Sequence, residues 1–215
     1  MTRPPRPTPI YSLLAVLSWP ILAVVFRYRT RGTENLPAEG GYVLAAGHVS
    51  NLDPWALGLR LWPRRYLRFM AKSELFWFPL SIVVSGAGAF KVNRGRSGRE
   101  TIETAVQLAR EGNVIAMFPE GTRRRKGMRK KRETQAHTGA ARIALEAGVP
   151  LVPAGITGTE GLSRLAAWRV SYGNPIDLDD LRGLKPSEAA REATERLMSE
   201  IHRLEESLSH RRAEP

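Results

Sequence analysis

The functional reading of this 215-residue chain begins with a histidine and an aspartate separated by four residues. Gly47-His48-Val49-Ser50-Asn51-Leu52-Asp53-Pro54 follows the apolar run Tyr42–Ala46 (YVLAA). The run reads as a buried strand. Asp53-Pro54 reads as a helix start, with aspartate as N-cap and proline at the first helical position. A tight loop between strand and helix can bring the Asp53 carboxylate to an imidazole nitrogen of His48. Such a pair is the base half of a triad, in which the carboxylate fixes the tautomer and stabilises the imidazolium. Imidazole chemistry suits general-base work near neutral pH. No GxSxG elbow supplies a nucleophile. The hydroxyl to be deprotonated is then the substrate's own, with Ser50 left open as a covalent alternative. A capping aspartate beside an incidental loop histidine is the competing structural explanation.

Three more stretches carry chemistry. Phe118-Pro119-Glu120-Gly121-Thr122-Arg123 follows the apolar run Asn113–Phe118 (NVIAMF). Arg123 can fork onto a phosphate, and Gly121 permits close backbone approach. Glu120 either holds Arg123 or accepts a substrate hydroxyl. Phe90-Lys91-Val92-Asn93-Arg94-Gly95 offers Arg94 as a second phosphate ligand. Val149-Pro150-Leu151-Val152-Pro153 brackets the start of a strand with prolines, which taken alone only rigidifies a turn. Together they offer one base, one orienting acid and two or more anion clamps. That set would activate a hydroxyl on a phosphorylated substrate.

These residues need a scaffold, and the patterning supplies one. Strands are expected at Tyr42–Ala46, Tyr66–Met70, Ala89–Val92, Asn113–Phe118, Leu151–Ile156 and Ala167–Tyr172. Helices are expected from Asp53, over Ser97–Glu111 before Gly112, over Thr138–Ala147 before Gly148, and over Ser187–Leu208. Alternation of this kind predicts an α/β fold with a mostly parallel sheet flanked by helices. In such sheets ligands bind beyond the carboxyl ends of strands. Tyr66–Phe78 (YLRFMAKSELFWF) fits a substrate groove, a membrane contact or a core element.

The N-terminus differs from the rest. Ile10–Phe26 holds seventeen residues without a charge, flanked by Arg3 and Arg6 before and by Arg27, Arg29 and Arg31 after. As one helix it would be about 25 Å long, short of a hydrocarbon core of about 30 Å. Pro20 is expected to kink or split it. The basic flanks are symmetric, so they set no positive-inside orientation, and no small-x-small cleavage site marks a signal peptide. The preferred reading is a membrane-lying helix or bent helical hairpin with flanks suited to anionic head groups; a core helix packed on the same chain is the alternative. Residues 1–31 therefore read as an N-terminal membrane-associating segment and 32–215 as the catalytic domain with its C-terminal helix.

Composition excludes several classes. With no cysteine, disulfides, thiolate zinc sites and a cysteine nucleophile are out. No GxxxxGK[ST] loop or HExxH helix occurs, and the four histidines have no metal-ligand spacing. The net charge is +12. Eight basic residues and no acidic one lie in residues 123–132 (RRRKGMRKKR). Such a block attracts polyanions: nucleic acid, anionic lipid or phosphorylated ligands. A nucleic-acid-binding protein using this run is the reading from a different class. No helix-turn-helix, zinc-finger or RNP-type signature supports it.

The chain resembles the glycerolipid acyltransferase family, most closely its bacterial 1-acyl-sn-glycerol-3-phosphate acyltransferases. His48 and Asp53 match that family's HX4D block. Phe90–Arg94 resembles its second block, FPEGTR at Phe118–Arg123 matches its third, and Val149–Pro153 with Pro150 resembles its fourth. The resemblance spans residues 48–153. It implies a glycerol-3-phosphate acyltransferase-like fold and an acyl thioester donor, acyl-CoA or acyl-ACP. His48, oriented by Asp53, would deprotonate the sn-2 hydroxyl of lysophosphatidate, which attacks the thioester directly to give phosphatidate. Arg94, Glu120, Gly121, Thr122, Arg123 and Pro150 would bind substrate. No metal or bound redox cofactor is implied. The reaction is expected at the cytoplasmic face of the plasma membrane, from a monotopic or single-pass protein. Intact His48 and Asp53 argue against a dead lipid-binding relative. One stretch departs from the pattern. Many family members carry a stretch resembling FKKGA where this chain reads Ala136-His137-Thr138-Gly139-Ala140, without the lysines. That difference keeps another lysolipid or a glycolipid open as acceptor. Residues 124–132 are expected to be a loop holding anionic lipid or coenzyme A phosphates, or a solvated loop without a ligand.

Overall fold

The computed structural model describes residues 5–92, 98–121 and 136–210. Its centre is a seven-stranded sheet: β1 (Arg29–Arg31), β2 (Tyr42–Ala46), β3 (Leu67–Lys72), β4 (Ala89–Val92), β5 (Val114–Met117), β6 (Leu151–Thr157) and β7 (Arg169–Tyr172). The spatial order is β1-β7-β6-β2-β5-β3-β4. β2 pairs in parallel with β5 and β6, and β3 with β4 and β5. β7 runs antiparallel to β6, and β1 follows β7. All five residues of β2 are buried. A strand covered on both faces reads as a continuous apolar run, which YVLAA is.

Helices cover both faces. On one side α1 (Pro9–Val24) and α2 (Asp53–Leu59) bury Ala15, Leu22, Ala56 and Leu57 against Leu44, Val152 and Val170. On the other, α4 (Gly98–Arg110), α5 (Gly139–Ala147) and α6 (Pro186–His210) bury Ala105, Ile143 and Leu197 against Val43, Ile115 and Leu151. Alternate residues of β2 thus serve opposite cores, as the pleat requires. α6 lies directly on β6. A side chain at Gly155 would meet Leu204 Cβ at 2.9 Å and the Glu205 backbone nitrogen at 3.0 Å.

Several expectations shift. The strand placed at Tyr66–Met70 runs over Leu67–Lys72, and that at Ala167–Tyr172 starts at Arg169. Asp53 is the first residue of α2, and Leu52 occupies the N-cap. Its carboxylate faces back into the preceding loop instead of capping the helix. Pro20 does not split the N-terminal segment: α1 is one helix of 16 residues with Pro20 inside it, not a hairpin. β1 and the short α3 (Leu80–Gly86) were not foreseen. β1 lies within residues 1–31, so that segment reaches into the sheet.

α1 is apolar on opposite sides. Tyr11, Ala15 and Leu22 are buried, whereas Leu13, Val16, Leu17, Ile21 and Val24 form an exposed stripe. The stripe positions recur at helical spacing. Exposed Leu75, Trp77, Phe78, Ile82 and Val83 lie on and just before α3, which α1 touches where Thr8 Oγ1 donates to the Gly86 carbonyl at 2.6 Å. Among the described residues no helix is long and apolar enough to cross a membrane.

The α6–β6 contact generates a test. Gly155→Val would force α6 off β6, an overpacking cost of about 1–3 kcal/mol. The expected drop in melting temperature is roughly 2–4 °C per kcal/mol for a chain of this size, read by thermal denaturation.

Candidate functional site

Strand order fixes where the site lies. β2 is flanked by β5 on one side and β6 on the other, and the crossover from β5 to β6 passes over it. The sheet reverses its winding there, the place where α/β sheets open a crevice at their carboxyl edge. Three segments leave that edge together: the loop 47–52 after β2, the turn 118–121 after β5, and the turn from Gly158 after β6.

His48 and Asp53 meet in this crevice. His48 Nδ1 lies 2.8 Å from Asp53 Oδ2. The same oxygen accepts from the backbone amides of Val49 and Ser50, each at 2.8 Å. The other oxygen, Oδ1, accepts from Thr159 Oγ1 at 2.6 Å. Asp53 has no exposed surface and Thr159 is 1% exposed. A buried carboxylate requires such donors, because desolvation without them is costly. Four donors from three sources therefore fix the carboxylate. It in turn accepts the Nδ1 proton of His48, which leaves Nε2 as the acceptor. Nε2 makes no hydrogen bond among the described residues. The Phe118 ring stacks on the imidazole, with centroids 4.3 Å apart and planes inclined by 25°. Hydrogen bond and stack together hold the ring in one orientation, half-buried but open at Nε2.

Ser50 does not continue the chain of hydrogen bonds. Its Oγ accepts from the Leu52 amide at 3.2 Å and makes no bond to His48. Nothing here supports a covalent serine route.

The remaining predicted residues fall into three groups. Glu120 and Gly121 are beside the dyad: the turn closes through Gly121 N to the Phe118 carbonyl at 3.0 Å. Gly121 adopts φ +67°, and a Cβ there would meet the His137 ring at 2.6 Å. The glycine is required on both counts. His137, whose amide donates to the Pro119 carbonyl at 2.8 Å, thereby joins the rim of the site. Pro150 is not brought to the site. It precedes β6, its carbonyl accepts from the Val43 amide at 2.9 Å, and Val43 lies near the start of β2, whose other end leads to His48. The two therefore lie at opposite edges of the sheet, because a parallel neighbour enters where β2 enters. Arg94, Thr122, Arg123 and the basic run 123–132 lie outside the described residues. β4, which leads to Arg94, does end at the carboxyl edge.

Sequence reasoning missed Thr159 and the stacking role of Phe118. Thr159 is 106 residues from Asp53 in the chain, and no local pattern announces the contact. Phe118 was inside a quoted motif, but an aromatic at a strand end gives no sign of what it packs on.

Comparisons with known proteins bear on this geometry. A profile of the Acyltransferase family matches residues 27–157. The 1-acyl-sn-glycerol-3-phosphate acyltransferase of Bacillus subtilis (strain 168) is 33% identical over 81% of this chain and 86% of its own. The protein of that name from Streptococcus pneumoniae is 27% identical over 93% and 73%. Among solved structures, the 1-acyl-sn-glycerophosphate (LPA) acyltransferase PlsC from Thermotoga maritima superposes with a TM-score of 0.61 at 18% identity. That match covers 96% of this chain and 95% of the other, and it shows a shared fold.

Thr159→Val leaves Asp53 Oδ1 without its donor in a buried site. The expected loss of stability is about 1–3 kcal/mol, measured by denaturant unfolding. Thr159→Ser restores the hydroxyl and should recover most of it.

Proposed function

The chain belongs to the acyltransferase family, and from that premise we propose that it transfers a fatty acyl group from an acyl thioester to the sn-2 hydroxyl of lysophosphatidate, giving phosphatidate. The observation that carries the proposal is the His48–Asp53 pair, fixed at Nδ1 and open at Nε2. Acyl-CoA and acyl-ACP both present the required thioester.

The geometry supplies a mechanism. His48 Nε2 takes the proton of the sn-2 hydroxyl as that oxygen attacks the thioester carbonyl carbon. Asp53 stabilises the imidazolium so formed. The tetrahedral adduct collapses with cleavage of the carbon–sulfur bond, and the imidazolium returns the proton to the departing thiolate. No acyl-enzyme is needed, since the substrate hydroxyl is the nucleophile. Glu120 and Gly121, beside the dyad, are assigned to the glycerol phosphate, and Thr122, Arg123 and Arg94 to its phosphate, on the strength of their motifs. Pro150, at the opposite edge of the sheet, is assigned no contact with substrate.

The acceptor and product are amphiphiles, so the site must work at a bilayer surface. Residues 1–31 serve as the membrane-associating segment, with the exposed stripe of α1 laid into the interface. The cytoplasmic face, where acyl thioesters are made, is the surface it meets.

Two measurements test this. Thiol release from acyl-coenzyme A should depend on added lysophosphatidate and fall by about 10²–10⁴-fold in His48→Ala, the weight of a general base. Release that survives this substitution would sink the mechanism. Leu17→Glu places a charge in the exposed stripe. Binding to phosphatidylcholine vesicles should drop by roughly an order of magnitude, since a carboxylate is costly below the headgroups, while the melting temperature stays put. Unchanged sedimentation with the vesicles would refute the docking face.

A further inference from the structure

The stripe on α1 is only part of the exposed apolar surface. Among the described residues, seven large exposed apolar side chains belong to α1 and its cap and five to residues 75–83; only Leu162, Leu165 and Leu184 lie elsewhere. Trp77 is 59% exposed and Phe78 78%, and neither ring packs on another ring among the described residues. Such side chains scattered singly need no explanation, but a contiguous patch does. The two groups are contiguous. Gly86, at the end of α3, lies so close to α1 that a Cβ there would meet Ile10 Cβ at 2.7 Å. They also share a face of the sheet. The chain steps from β2 through α2 to β3, and from β3 through α3 to β4, in the same direction across the sheet. Right-handed crossovers therefore put α2 and α3 on one face, and it is the face that α1 covers.

We propose that residues 75–83 are a second membrane-contact element, through which Trp77 and Phe78 enter an anionic bilayer surface beside α1. Two observations select a bilayer. The first is continuity with the stripe of α1, the surface already assigned to the membrane. The second is charge. Residues 7–26 and 75–90 carry no charged side chain. Arg6 and Arg27 flank the first run, and Lys72, Glu74 and Lys91 flank the second. A second copy of the chain docked face to face would set these four bases against their own counterparts, with one acid to answer them. Anionic head groups answer them directly. Tryptophan also suits the head-group level, where its ring is half in hydrocarbon and its N–H stays wet. The element lies next to the site. β3 pairs with β5 and ends at Lys72, at the carboxyl edge. Residues 73–79 therefore leave the sheet beside the turn that carries Phe118. A lysolipid crossing from the bilayer at this rim meets the crevice without passing through bulk water. The inference rests on the membrane-surface reading above and deepens it, naming a second contact and the side of the crevice that it borders.

Full-length protein would be sedimented with vesicles of equimolar phosphatidylcholine and phosphatidylglycerol. Trp77→Ser/Phe78→Ser should weaken binding by roughly tenfold or more, because affinity for a bilayer scales with the apolar area buried in it. Leu184→Ser removes an exposed apolar side chain just before α6, which covers the other face, and should leave the affinity at wild type. A thermal melt of each variant checks its fold, and Phe78→Ser alone carries the same expectation should the double variant unfold. Lipid brominated in its acyl chains should quench the fluorescence of the wild type more than that of Trp77→Phe, which keeps an apolar ring and removes the reporter. Wild-type affinity should fall in pure phosphatidylcholine, and equal affinity there would refute the anionic partner. Unchanged binding of the double variant overturns the proposal, as does an equal loss in Leu184→Ser. If Leu17→Glu has lost its binding while the double variant keeps it, the membrane reading stands and this element alone falls. A lipid-free dimer that the double variant turns into a monomer, with vesicle binding intact, would assign the face to a second copy and overturn the proposal too. If wild-type protein binds no vesicle, both this inference and the membrane reading fall; its acyl transfer to a monomeric short-chain lysophosphatidate still reports on the reaction independently.

Discussion

Burying the Asp53 carboxylate is the constraint on which the site depends. With no exposed surface, it has to be satisfied from within the chain. The loop after β2 contributes two backbone amides and the His48 ring, and the turn after β6 contributes a hydroxyl. Each donor is useful only if the others are in place, because a partly satisfied buried polar group costs more than an apolar substitute. Loop, helix start and the turn after β6 are therefore fixed as one unit. The imidazole inherits its orientation from that unit and from the Phe118 ring, and so needs little reorganisation when the substrate arrives.

The sheet order gives this unit its place. The chain leaves β2 toward β3 and leaves β5 toward β6, crossing the sheet in opposite directions, so the loops after β2, β5 and β6 meet at a single edge. β5 delivers Phe118 and the glycine turn, and β6 delivers Thr159. The same arrangement explains Pro150. A motif quoted from the chain records neighbours in sequence, but the two ends of one strand lie at opposite edges of a sheet. Pro150 begins β6 and Thr159 follows its end, so the residue that reaches the dyad is the one the pattern did not mark.

What could be read from the sequence follows from the range of each interaction. His48 and Asp53 are separated by only four residues, and local geometry alone makes them partners. The buried parallel strands were legible because burial on both faces leaves uninterrupted apolar runs such as YVLAA and NVIAM. β1 was not legible. Arg-Thr-Arg has a charged flank's composition, and it becomes a strand because β7 presents an unpaired edge to it. α3 was hidden for the opposite reason, since Leu80–Gly86 is rich in β-branched residues that favour strands, yet it folds as a helix against α1. Asp53 was assigned as a helix cap from its type and the following proline; what moved it one position inward was the demand of the loop amides, a tertiary preference that outweighs a local one.

α1 shows why the N-terminal segment admitted two explanations at once. It is a helix of 16 residues, about 24 Å at the usual rise, and its apolar residues do not form a single face. One set, with Ala15 and Leu22, completes the core under β2 and β6. The other, with Leu17 and Val24, is left outside. A core helix and a membrane-lying helix each need one apolar stripe, and this helix has both. The consequence is mechanical. Because α1 is packed as core, and because Phe26 packs its ring against Trp168 at 5.2 Å, the exposed stripe cannot swing independently of the sheet. Whatever surface the stripe settles on, the carboxyl edge is held at a fixed height and tilt relative to it. An acceptor whose hydroxyl lies just below its own headgroup can then meet a rigid base without leaving the interface, and a flexible tether would not achieve that.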